Sequence, residues 1–296
     1  AEQLLPQIFL QIVNMSITAG WLIFAVLLLR KLLKKAPKSV CCVLWAFVAV
    51  RLVCPFSPES FFSLIPSSQP IRSDVFQVNT GVHLGVPALD PVGDATLNLS
   101  DWEGTTVSAK SLFGNPLFLF SVLWLAGVVV VFGFGIWSVL RLRRKIRMSV
   151  PYQKGVLLCD TVQTPFIFGI FRPKIYLPSN IDSAQVPYVL AHERAHLSRK
   201  DHLWKPLAYG FLAVYWFHPL CWLGYFLFCR DMEFACDERV VKNWDFEKKR
   251  EYSQTLLNLS VNRRTFAVSP LTFGEVGVKE RIRAILHYKK PTFWMI

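Results

Sequence analysis

The chain has 296 residues, 53% hydrophobic and 14% aromatic, with a mean hydropathy of +0.36 and a formal charge of +13. That is too apolar for an ordinary soluble domain of this length, and the apolar residues fall in long runs. The basic residues sit beside those runs and not in a finger, a basic helix-turn-helix or an aromatic-basic pattern, which argues for membrane orientation and against direct nucleic-acid binding.

The first run, Ile8 to Leu29, has about the twenty residues that a bilayer core demands. Arg30, Lys31, Lys34, Lys35 and Lys38 follow it, whereas a secretory signal carries its charge ahead of the apolar stretch, so a retained span is expected. The second run, Val40 to Pro55, is short and carries Arg51 near its far end, where a long side chain can snorkel to the interface. The third runs from Pro116 to Leu140 and stops at Arg141, Arg143, Arg144, Lys145 and Arg147. Between the second and third, Arg72 and Lys110 face Glu59, Asp74, Asp90, Asp94, Asp101 and Glu103. The positive-inside rule then puts the N-terminus outside and starts everything after Arg141 in the cytoplasm. Cys41, Cys42 and Cys54 lie in or beside one apolar run and Cys221 and Cys229 in another, with no CxxC pair, so free thiols are expected.

The residues that carry chemistry lie further on. Val186 to Arg199 reads as a helix, with Pro187 in its first turn and an apolar face of Val189, Leu190, Ala191 and Ala195. On it His192 and His196 are spaced i, i+4, so both imidazoles project from one face and can share one zinc ion. Glu193 is placed to take a proton from a metal-bound water. The bland alternative is two surface histidines on an ordinary helix, but zinc needs a third protein ligand and the sequence offers one. In the stretch from Arg230 to Glu238, Glu233 and Asp237 again share a face; Glu233 is expected to ligate, and Asp237 to orient a histidine through its second ring proton. Asp231, Cys236 and Glu238 read as solvated or packing residues. Arg230, Arg239 and His202 are candidates for stabilising the transition state, and Arg194 and Arg199 read as solvated or lipid-facing.

Leu203 to Cys229 is apolar and long enough to span, yet one crossing would separate Glu233 from His192. His218-Pro219 interrupts it, so the expectation is a hairpin over about 203–229 that dips into the membrane and returns, with His218 as a turn residue. Upstream, Gly155 to Asp160 and Arg172 to Leu177 read as strands separated by Thr164 to Gly169, and an edge strand there would let an extended peptide add by main-chain hydrogen bonds.

With the His-Glu-Arg-Ala-His helix, the later Glu233 and Asp237, the Pro165 to Pro178 stretch, Trp216-Phe217-His218-Pro219 and Lys279-Glu280-Arg281-Ile282 in view, nearly the whole chain resembles the membrane metallopeptidase domain of the beta-lactam-sensing antirepressor family, the Bla and Mec signal transducers. The resemblance implies a gluzincin-type site with one Zn2+ per chain on His192, His196 and Glu233, and catalysis by Glu193. It also implies a bacterial plasma membrane and regulated cleavage of a cytoplasmic transcriptional repressor, sometimes with self-cleavage. Arg263 to Ala267 and Ser269 to Phe273 are the expected self-cleavage region. That family continues into an extracellular penicillin-binding domain; here no Ser-x-x-Lys acylation site is present, and 289–296 reads as the start of a truncated fourth span.

The expected fold is therefore an α-helical membrane protein with a small α+β cytoplasmic gluzincin-like zinc metallopeptidase domain. Residues 1–36 form the first span and a basic turn, 37–56 the second span, 57–112 an outer loop, 113–140 the third span and 141–288 the peptidase domain. Expected partners are the lipid bilayer and a cytoplasmic protein substrate, with a homodimer left open. Two rival readings remain: a quality-control or prenyl-protein-type zinc protease, and a non-catalytic transducer with a structural zinc.

Overall fold

Among the described residues, three apolar helices come first: α1 (Leu4–Leu32), α2 (Lys38–Val53) and α3 (Pro116–Lys145). The computed structural model describes residues 4–33, 36–54, 116–261, 277–288 and 290. The expected outer loop over 57–112, the expected self-cleavage region and the fourth-span residues from Pro291 lie outside them. Among the described residues two helices can cross a membrane by length and composition, Leu4–Leu32 and Pro116–Met148, with mean hydropathies of 2.2 and 2.6. The 16 residues of α2 rise only about 24 Å, short of a hydrocarbon core of about 30 Å. Phe24, Phe47, Val130 and Ile136 are exposed on these helices, a pattern costly in water and neutral in hydrocarbon.

The described residues divide into two compact units. One contains α1 up to Met15 and α3 up to Ala126, where the rings of Phe9 and Trp124 pack 6.1 Å apart. The other contains the rest of α1 and α3, all of α2, and everything that follows.

In the second unit a 3-10 turn (Ile146–Met148) leads from α3 into a four-stranded sheet of order β1-β2-β4-β3. The strands are β1 (Val150–Gln153), β2 (Val156–Cys159), β3 (Phe166–Phe168) and β4 (Lys174–Pro178). The two strands expected from sequence, β2 and β4, are the inner parallel pair. The edges are β1 and β3, and β3 occupies part of what reads as a spacer because it pairs antiparallel with β4 across Gly169. Gly169 has φ 114° and backs onto the Arg172 carbonyl, a turn that a side chain would obstruct.

Val156, Ile175 and Leu177 of the sheet pack on Val189 and Leu190 of α4 (Val186–Arg199). That contact fixes α4 by its apolar face and leaves His192 and His196 on the other side. Lys200, in the left-handed region at φ 59°, caps α4 and starts α5 (Asp201–Val214) without a linker. A turn through His218 then reverses the chain into α6 (Pro219–Val241). The hairpin lies close on α3: a Cβ at Gly127 would sit 2.1 Å from the Trp216 ring, and one at Gly135 2.5 Å from Tyr209. The Tyr209 hydroxyl donates to the Val131 carbonyl of α3 at 2.7 Å.

Of the two readings left open for Asp231 and Glu238, solvated or packing, the structure has them packing, and Arg199, expected to be solvated or lipid-facing, is partly buried. Asp231 is buried, accepting from Arg30 of α1 at 2.7 Å and from the Trp45 indole of α2 at 2.9 Å. Glu238 accepts the Lys38 backbone N–H at 2.8 Å, which caps the start of α2. Arg199 reaches Ser39 and Cys42 of α2 and pairs with Asp201. Sequence periodicity could not foresee the contacts with α1 and α2, because each of those partners lies more than 150 positions away. All seven cysteines are free thiols, as expected. The chain ends its described part with α7 (Phe246–Val261) and α8 (Val278–Leu286), packed through Val241, Tyr252 and Ile285.

Candidate metal centre

The hairpin returns α6 to α4, and three buried donors converge. His192 Nε2 lies 3.1 Å from His196 Nε2 and 3.4 Å from Glu233 Oε2, and His196 Nε2 lies 3.5 Å from Glu233 Oε1. Each residue is less than a tenth exposed. Tetrahedral ligands at about 2.0–2.1 Å from one ion stand about 3.3–3.4 Å apart, so the triangle fits a small divalent metal.

The far nitrogens of both rings are tied down. His196 Nδ1 donates to Asp201 Oδ2 at 2.8 Å, and Cys236 Sγ donates to the same oxygen at 3.2 Å. Asp201 is in place because the chain reverses at Lys200. His192 Nδ1 lies 2.8 Å from the Tyr252 hydroxyl, which itself donates to Asp237 Oδ1 at 2.6 Å; the hydroxyl therefore accepts from the ring. Asp237 Oδ1 is also 3.3 Å from His192 Nδ1. With Nδ1 protonated on both rings, both Nε2 lone pairs point into the triangle.

Cations surround the carboxylates. Arg281 binds Asp237 with two donors, Nε at 2.7 Å and Nη2 at 2.8 Å, and its Nη1 stands 3.3 Å from Glu233 Oε2. Lys205 Nζ donates to Glu233 Oε1 at 3.0 Å. Burial would raise the pKa of Glu233, but Lys205 and then His196 hold it well below the ordinary carboxylate range. Asp237 is likewise lowered, with Arg281 and the His192 bond outweighing burial. Burial would lower His192, but hydrogen bonds to Asp237 and Glu233 carry it from 6.5 up to about 9. Glu193, next to His192 in sequence, is buried, with no hydrogen bond or ion pair among the described residues.

A sequence profile described as BlaR1 peptidase M56 matches residues 10–285. The chain belongs to that family. Over 161 residues it is 29% identical to "Regulatory protein BlaR1" of Bacillus licheniformis, covering 51% of this chain and 27% of that protein. Over 147 residues it is 23% identical to "Methicillin resistance mecR1 protein" of Staphylococcus aureus and of Staphylococcus epidermidis, covering 46% of this chain and 25% of each of theirs. The chain thus spans about a quarter of the length of these curated relatives.

In this M56 chain His192, His196, Glu233 and Asp237 are gathered in one place, and Glu193 adjoins His192 in sequence. Of the three residues considered as stabilisers, Arg230 pairs with Glu280 at 3.4 Å and Arg239 is exposed; no hydrogen bond or ion pair among the described residues joins either of them, or His202, to the triangle. Sequence reasoning passed over Asp201, Lys205, Tyr252 and Arg281. Arg281 carried a signal, since it lies in a short stretch familiar from the family, and Ile285 one turn later marks the buried face of α8. Tyr252 carried none: an isolated tyrosine on a polar helix has no spacing that announces it.

Proposed function

We propose that this chain is the catalytic part of a multi-pass zinc endopeptidase of the bacterial plasma membrane. Its site faces the cytoplasm and cuts a cytoplasmic protein, a transcriptional repressor in the simplest case, and on occasion the chain itself. Zinc would be held by His192, His196 and Glu233. The observation that supports this most is the 3.1–3.5 Å triangle of donors, whose two imidazoles are both fixed as Nε2 ligands by carboxylates behind them. Membership of a peptidase family and two helices able to span agree with it.

Bound zinc would acidify a water molecule and polarise the scissile carbonyl. Glu193 accepts the proton from the attacking water and returns it to the leaving amine, a role open to a carboxylate without an ion-pair partner. Asp201 on one side and Asp237 with Tyr252 on the other keep each ring in its ligating tautomer. Lys205 and Arg281 place positive charge beside the ligand carboxylate, where negative charge gathers during attack.

The test is metal content of the detergent-purified chain, with His196→Ala and Glu233→Ala beside it. About one zinc per chain, lost in both variants, is expected. Folded wild type without zinc would overturn the reading. Glu193→Gln should keep the metal and lose cleavage by about 100- to 10,000-fold; undiminished signalling in that variant would restore the non-catalytic transducer.

A further inference from the structure

The end of α3 carries a feature that catalysis does not use. Between its last two turns and the sheet is a cavity of about 540 Å³, lined by Leu140, Arg143, Arg144, Arg147, Phe168 and Tyr176. This lies within the roughly 300–1,000 Å³ typical of small-ligand sites. Arg143, Arg144 and Arg147 are exposed and make no hydrogen bond or ion pair among the described residues. By contrast Arg30, Arg199, Arg230 and Arg281 each hold a carboxylate.

The cavity is built on fixed parts. The Lys145 carbonyl at the end of α3 accepts from Thr161 Oγ1 at 3.0 Å and Cys159 Sγ at 3.8 Å. Ile146 is buried with Cys159, Val162 and Tyr176. The helix end is thereby tied to β2 and the loop after it, so the three guanidiniums project from a held backbone. Phe168 packs edge-on against Tyr176, 6.5 Å between centroids, and gives the cavity an apolar aromatic wall.

Its depth points to the occupant. From Pro116 to Leu140 the apolar part of α3 rises about 37 Å, enough to use up a hydrocarbon core of about 30 Å. Trp137 is exposed where interfacial aromatics gather, and the Arg141 guanidinium lies over its ring at 5.3 Å. Arg143, Arg144 and Arg147 come next, at the level of lipid phosphates, with Leu140 and Phe168 available to the glycerol and first methylenes. We propose that this cavity binds the phosphate headgroup of an anionic phospholipid and seats the sheet on the anionic leaflet. The proposal rests on α3 crossing the membrane, as proposed above.

The experiment is native mass spectrometry of the full detergent-purified chain titrated with dioleoyl phosphatidylglycerol, with phosphatidylcholine as reference. Phosphatidylglycerol is expected to bind preferentially, and Arg143→Gln/Arg144→Gln/Arg147→Gln to weaken it roughly 100-fold, about fivefold for each guanidinium. A control with the same charge loss on exposed residues, Lys242→Gln/Lys248→Gln/Arg250→Gln, should bind as wild type does. Equal loss in the two triple variants, or none in the first, overturns the site. So does displacement of the lipid by inorganic phosphate more effectively than by chloride at matched ionic strength, which would mark a free-anion site. Unchanged metal content checks that the variants fold. Alkaline extraction of membranes separates the premises: release of the chain refutes the membrane placement, while retention without phosphatidylglycerol preference refutes the headgroup site alone.

Discussion

The two histidines proposed as ligands sit on one helix and face one point, yet they are supported in different ways. His196 is backed by Asp201, five residues on, delivered by the reversal at Lys200. His192 is backed by Asp237 of α6, Tyr252 of α7 and Arg281 of α8, three elements that meet only when the domain has closed. The first arrangement closes a short loop and costs little chain entropy; the second has long closures and depends on how distant helices dock. Half of the centre is local and half is a product of tertiary structure, so the two halves should break differently.

Removing the cation behind each carboxylate gives the largest contrast. Arg281→Ala strands Asp237 in a buried site and should cost about 3–5 kcal/mol in denaturant unfolding. Arg199→Ala should cost about 1 kcal/mol or less, since Asp201 keeps His196 and Cys236. Equal losses would show that the two halves are one cooperative unit. Next come the carboxylates: Asp201→Asn and Asp237→Asn should each weaken zinc by about 10- to 100-fold in a chelator competition. The Asp237 variant should also lose stability because Arg281 loses its main partner, whereas the Asp201 variant should not lose it to the same extent.

Smaller still is the contrast between Tyr252→Phe and Cys236→Ala. The first breaks two buried hydrogen bonds at about 1 kcal/mol each. The second removes a weak thiol donor, so zinc affinity should change by no more than about twofold.

A pH series tests the His192 side alone. Its pKa in the metal-free fold is raised from 6.5 to about 9, so protonation stabilises that form fully below 6.5, a contribution lost as pH rises to about 9. The metal needs the ring unprotonated. The rise in melting temperature on adding zinc should therefore grow between pH 6.5 and about 9, and a flat response would contradict the Asp237 and Glu233 bonds as its cause.

How much of this could be read beforehand follows the same division. The spacing of His192 and His196, and that of Glu233 and Asp237, is a property of single helices, which sequence periodicity expresses directly. The break at His218-Pro219 expressed the hairpin. Asp201 escaped because it lies past a non-glycine residue in a left-handed conformation, which no pattern marks. Tyr252, Lys205 and Arg281 escaped because each acts from a different helix. Strands β1 and β3 escaped because edge strands of four and three residues lack the length to show an alternation.

The carboxylate of Asp231 has a geometric consequence. It stands two residues before Glu233 on α6 and is gripped by Arg30, the first charged residue after the apolar run of α1, and by Trp45. Two residues are about 3 Å of helix, so the position of Glu233, the proposed ligand, relative to the end of α1 is set by a pair that cannot slip one residue without leaving a charge unpaired. If α1 spans as proposed, the blade is mounted at a fixed height close over the bilayer. A peptide bond is then selected by whether it can be brought down to that plane as well as by the side chains around it.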